Sequence, residues 1–273
     1  VTAHDPSGPA PSGPTPSGRQ ALVAQVGVTT FAADWTSDAH RVRRLVSEFI
    51  GMAGLTFILS GGASIIAQDG GTVPKIAVVA ILSAVSALWL MAAIFFLGDI
   101  SAHFNPAMTL AFALRGDMGW PMAVAYWVVQ FVGAVAGSGA AVLLFGDAGG
   151  LASVRPPQGG EWQALVFETV ITFGIVLMVL GMANGPKLNG QFVPFAVAAY
   201  IMAWGTMGGA FNGAAMNPAR AFGPAVFAGA LDVVWVYLVG GAIGAVIAVL
   251  VARFFRGRAR AQEASAAMGN PLA

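Results

Sequence analysis

The sequence predicts an all-α membrane protein with six transmembrane helices and two re-entrant half-helices arranged as an inverted repeat. Composition, six apolar runs of spanning length and one duplicated triplet predict it: Asn105-Pro106-Ala107 returns as Asn217-Pro218-Ala219, each at the head of a short helical stretch. The chain is 57% apolar and 9% charged, with mean hydropathy +0.76 and 36 glycines in 273 residues. Soluble globular proteins carry about 25% charged residues. A net charge near +1 offers no patch for a polyanion, so nucleic acid is not an expected partner. Without cysteine, disulfides and thiolate metal sites are excluded, and His4, His40 and His103 are too scattered for a metal site or a catalytic triad. No cofactor is expected.

Residues 1–40 carry Pro-Ser-Gly repeats between Pro6 and Gly18 and too few aliphatic residues to order themselves, which predicts a disordered cytoplasmic tail. The apolar patch from Ala21 to Phe31 is interrupted by Gln25 and two threonines and makes a poor signal peptide. The membrane domain covers 41–256, with a cytoplasmic tail at 257–273. Its spans fall at about 44–67, 75–98, 121–145, 162–183, 193–211 and 232–254, and the half-helices follow the second and the fifth.

Charge placement orients these spans. Arg41, Arg43 and Arg44 precede the first, and Arg253, Arg256, Arg258 and Arg260 close the last, so both ends are expected in the cytoplasm. Arg115 and Lys187 then fall on inner loops, Lys75 and Arg155 on outer ones. Two similar halves, at about 44–120 and 162–230 with the sixth helix after them, each cross an odd number of times and must insert with opposite orientation. Glu48 and Glu168 occupy the same position near the start of each half. Gly133 with Gly137, and Gly240 with Gly244, have the spacing that lets helices approach closely in lipid.

From each triplet the chain runs helically for roughly ten residues, about 15 Å and so half of a ~30 Å hydrocarbon core. Asparagine is a strong N-cap, and proline is favoured at the first helical position because its missing N–H costs nothing there. Two such starts meeting near the midplane would aim two positive dipole ends and two amides at one point, a poor place for a cation and a good one for a neutral oxygen.

With the paired triplets, the paired glutamates and the six spans, the chain resembles the aquaporin, or major intrinsic protein, family over about 44–255. Phe211-Asn-Gly-Ala-Ala-Met-Asn-Pro-Ala-Arg-Ala-Phe-Gly-Pro-Ala225 resembles its second pore loop almost throughout. Ile100-Ser101-Ala102-His103-Phe104-Asn105 resembles the first but is one small residue short of the usual Ser-Gly-Ala-His pattern. The resemblance implies an aquaporin-like channel domain, a passive channel and not an enzyme, passing water and small neutral solutes while excluding protons and ions. Asn105 and Asn217 would donate to the solute, and Arg220 would stand in the outer constriction. Glu48 and Glu168 would accept hydrogen bonds from the re-entrant loops, and His103 would line the inner mouth. Asp99 could cap loop amides or pair with a neighbour. The family pattern further implies a homotetramer in a cell membrane, plasma or inner, with one pore per monomer.

The resemblance also places the selectivity filter at Arg220, Ala214, Gly205 and a residue of the second span, Ser86 or Val85. Small side chains there argue against a water-only ring, while Ala221 and Ala225 lean to the water-channel branch and Tyr237-Leu238 fits neither branch. The expectation is a water channel permissive to glycerol, urea or ammonia. The alternatives are a glycerol facilitator with water as minor permeant, a secondary transporter with broken helices, a cation channel or a non-conducting junction protein.

Overall fold

The computed structural model describes residues 38–183 and 192–257; the expectations for residues 1–37, Lys187 and 258–273 lie outside them, while residues 38–40, expected in a disordered tail, are helical. Eight α-helices follow in order among the described residues: α1 (Asp38–Ala67), α2 (Lys75–Leu97), α3 (Pro106–Arg115), α4 (Trp120–Phe145), α5 (Glu161–Ala183), α6 (Val193–Asn212), α7 (Pro218–Ala228) and α8 (Val234–Arg256). Six of them are long and apolar enough to span a bilayer, and α3 and α7 are the half-length ones. Helix α1 starts before the apolar run at 44, since hydropathy marks entry into an apolar setting and not the first helical turn.

The two halves pack by one rule. Helix α1 lies on α4 and α5 on α8, α2 meets α6 across the centre, and each half-helix rests on the last helix of the other half, α7 on α4 and α3 on α8. Exchanging the halves reproduces every pairing. Lipid is as apolar as leucine, so close backbone approach and interhelical hydrogen bonds hold the pairs together. A Cβ on Gly133 would sit 2.8 Å from the Phe49 carbonyl, and one on Gly137 would overlap the Ala53 backbone. In the second half, a Cβ on Gly240 would sit 3.0 Å from the Leu165 carbonyl and one on Gly244 2.6 Å from that of Thr169. Buried hydroxyls add bonds across the first pair, as where Thr56 Oγ1 donates to the Ala134 carbonyl at 2.9 Å.

The half-helices stop where their sequence changes. Gly116 adopts φ 91° and Gly229 φ 62°, left-handed C-caps that glycine takes without a Cβ clash. Arg115, expected on a loop, lies instead in the last turn of α3, where its Nε is 3.1 Å from Asp117 Oδ2 and both side chains are almost wholly buried.

Candidate functional site: a cavity between two opposed half-helices

Each triplet caps its own helix. Asn105 Oδ1 accepts from Ala107 N at 2.9 Å, and Asn217 Oδ1 accepts from Ala219 N at 3.1 Å and Arg220 N at 3.2 Å. Their amide nitrogens reach across: Asn105 Nδ2 donates to the Met216 carbonyl at 2.8 Å, and Asn217 Nδ2 to the Phe104 carbonyl at 2.7 Å. The N-termini of α3 and α7 are thereby latched head to head. Together the two helices are about as long as a hydrocarbon core is thick, ~30 Å.

The residue before each asparagine makes this possible. Phe104 has φ 46° and Met216 φ 54°, left-handed values that turn their carbonyls toward the opposite loop. Such strain, of order 1–3 kcal/mol per residue, persists only where surroundings over-determine the backbone. Buried carboxylates supply that. Glu48 accepts from His103 N at 2.8 Å and Phe104 N at 2.7 Å, and also from Ser101 Oγ and Gln130 Nε2. Glu168 accepts from Ala215 N at 2.8 Å, Met216 N at 2.9 Å and Asn212 Nδ2 at 2.9 Å. Irregular backbone at membrane depth has no helical partner, and these oxygens stand in for one.

A cavity of about 590 Å³ runs past the latched asparagines, from Asp99, Ala102 and His103 at one end to Ala152, Ser153 and Arg220 at the other. Its opposite wall is aliphatic, with Leu59, Ile94, Val179, Val197 and Ile201. His103 stacks on Phe112 at 4.6 Å and pairs through Nδ1 with Thr109 Oγ1 at 3.1 Å, while Asp99 is exposed at the rim. Arg220 Nη1 donates to the Ala152 carbonyl at 3.1 Å, and no carboxylate pairs with it among the described residues.

Near Arg220 the cavity is ringed by Ala214, Gly205 and α2. A Cβ on Gly205 would meet Ser83 Oγ at 2.7 Å, so Ser83 is the α2 residue that faces it. Ser86 also lines the cavity, one turn further along α2 and donating to the Ser83 carbonyl at 2.9 Å, whereas Val85 does not reach it. Three residues of this region were not singled out from the sequence: Ser83, and Ala152 and Ser153 from an irregular connection with no motif. A further difference concerns the asparagines. Each has one amide hydrogen committed to the opposite loop, so neither offers its full donor capacity to a solute.

Two opposed half-helices at the centre of six spans, a cavity running along them and a fixed cation in its wall define a multi-pass membrane channel of inverted-repeat type. The major intrinsic protein family model matches residues 35–252. The chain is 36% identical over 208 residues to Aquaporin NIP1-1 of Zea mays, covering 75% of this chain and 72% of that one. To Aquaporin TIP1-2 of Musa acuminata it is 37% identical over 226 residues, covering 79% and 87%. The fold is that of the X-ray structure of the aquaglyceroporin from Plasmodium falciparum, with TM-score 0.62 at 21% identity over 77% of this chain and 94% of that one. The chain belongs to the major intrinsic protein family, whose members are channels and not enzymes. It is a passive channel for water or small solutes.

Proposed function

We propose that the channel conducts water and, through a permissive filter, small neutral solutes such as glycerol, urea and ammonia, while excluding protons and ions. One observation carries the reading: around Arg220 nothing larger than a methyl or hydroxymethyl group projects from Ala214, Gly205 or Ser83. The filter is assigned to Arg220, Ala214, Gly205 and Ser83, with Ser86 one turn below. Such a ring leaves room for a carbon skeleton and keeps donors on one side for its hydroxyls. Exclusion of cations is supported by Arg220 and by the two helix N-termini, whose dipoles point their positive ends at the pore centre.

Asn105 and Asn217 donate to solute oxygens at the pore centre with the amide capacity that their protein acceptors leave them, His103 lines the inner mouth, and Glu48 and Glu168 hold the loops in shape. Both termini face the cytoplasm of a cell membrane, plasma or inner, by the distribution of arginine. Four copies assemble, each with its own pore, as the family resemblance implies.

Stopped-flow light scattering on proteoliposomes tests the reading. Shrinkage with an impermeant osmolyte is expected to be fast, and with glycerol as osmolyte fast re-swelling should follow. Gly205→His, whose Cβ must displace Ser83 Oγ, is expected to abolish glycerol re-swelling while water flux persists. Undiminished glycerol flux in that variant would remove the filter assignment.

A further inference from the structure

The two pore asparagines are not equivalent. Asn217 Nδ2 lies 2.7 Å from the Phe104 carbonyl and 3.7 Å from Met52 Sδ, so both of its amide hydrogens face protein acceptors. Asn105 Nδ2 lies 2.8 Å from the Met216 carbonyl and has no second acceptor among the described residues, although both asparagines line the cavity. The difference originates in α1 and α5. Met52 stands four residues after Glu48, and the corresponding residue after Glu168 is Thr172; both are wholly buried. A thioether sulfur sits one bond further from the backbone than a threonine hydroxyl. Met52 therefore reaches its asparagine, whereas Thr172 Oγ1 makes no hydrogen bond. The turn carrying Met52 is fixed from both sides: Trp89 Nε1 donates to the Gly51 carbonyl at 2.9 Å, and the Phe104 ring lies against the Gly51 Cα.

Resting on the channel reading above, we propose that Met52 is a positioning residue for the pore: its sulfur takes the second amide hydrogen of Asn217, leaving Asn105 as the principal donor to solute at the centre. Sulfur is a weak acceptor, so the hydrogen is restrained and not lost. A solute oxygen must compete for it. The pore centre thus grips a passing molecule from one side, despite two near-identical triplets.

Met52→Leu keeps the volume and removes the acceptor. It is expected to raise water permeability per channel about twofold, the scale of part of one neutral hydrogen bond. In protein labelled with ¹⁵N-asparagine, the side-chain amide resonances of Asn217 should shift while those of Asn105 stay in place, a pattern that a general packing defect would not produce. Thr172→Val, at the counterpart position, should change neither. Unchanged or lowered permeability in Met52→Leu, or an unshifted Asn217 amide, overturns the proposal. If wild-type vesicles shrink no faster than empty ones, the channel reading fails on its own, and the amide resonances still decide whether the sulfur holds Asn217.

Discussion

The first pore loop places His103 N and Phe104 N on Glu48, whose remaining capacity is filled by Ser101 and Gln130; the second places Ala215 N and Met216 N on Glu168, with Asn212 beside them. Behind the first stands a relay in which Arg44 Nε donates to Tyr126 Oη at 2.5 Å and that hydroxyl pairs with Ser101 Oγ at 2.7 Å. Behind the second, Tyr237 Oη donates to the Asn212 carbonyl at 2.6 Å, and the arginine of this half, Arg220, is in the cavity. Backbone needs are identical in the two halves and are met identically. The side chains around them diverge, and the divergence puts one cation behind a loop and the other in the wall of the cavity.

Removing either carboxylate is the largest perturbation of this pair. Each alanine variant leaves two loop N–H groups buried without an acceptor, at about 1–3 kcal/mol apiece; Glu48→Ala also takes one acceptor from Ser101 and Gln130, which keep Tyr126 and Thr109 as partners, and Glu168→Ala takes the carboxylate from Asn212 Nδ2. Both variants are expected to lose most folded protein on size exclusion in detergent. A wild-type thermal midpoint for Glu168→Ala would break the claim that the loops depend on these oxygens.

The arginines separate the halves functionally. Arg220→Val should preserve water flux and raise proton or cation leak on the order of a hundredfold, since a fixed charge facing the cavity contributes a barrier of about 3 kcal/mol at an effective dielectric of ~20. Arg44→Met should leave the leak unchanged and lower the thermal midpoint, because Arg44 is fully buried and does not line the cavity. Liposomes carrying a pH-sensitive dye under an imposed potential read both. Equal leak from the two variants would mean that the two charges act alike.

Much of this was legible in the sequence because it recurs there. The duplicated triplets, the glutamates near the start of each half and the paired glycines fixed the repeat, the half-helices and the close helix pairs. Gly137 and Gly244 make the point in packing terms: an alanine at either would push a Cβ into the backbone of the facing helix, and such overpacking costs about 1–3 kcal/mol. Gly137→Ala and Gly244→Ala should therefore lower the midpoint by similar amounts, and a large difference between them would mean that one half is looser. What stayed illegible depends on helix phase and on single side chains. The missing small residue in the first loop shifted the reading of α2 toward Ser86, whereas Ser83 is the residue turned to Gly205. Arg44 read as one of three flanking charges; its full burial and its bond to Tyr126 set it apart from the exposed Arg43. Ser153 sits in an irregular segment whose course no periodicity reveals.

The smallest expected effects come from the two tyrosines, and they test whether the relay behind the first loop matters. Tyr126→Phe removes the oxygen that accepts from Arg44 and pairs with Ser101, one step from Glu48. A hydrogen bond to a charged group is worth about 1.5–3 kcal/mol and a neutral one about 1 kcal/mol. Tyr237→Phe removes a single donor from a backbone carbonyl, so its cost belongs to the neutral class. Neither side chain lines the cavity, so water flux per folded channel should fall less than about twofold in both, the effect of under half a kcal/mol on a barrier. Thermal midpoints should rank wild type above Tyr237→Phe above Tyr126→Phe. The reverse order would mean that Asn212, held by Tyr237 and bonded to both Glu168 and Ala214 N, carries more of its loop than the charged relay carries of the other.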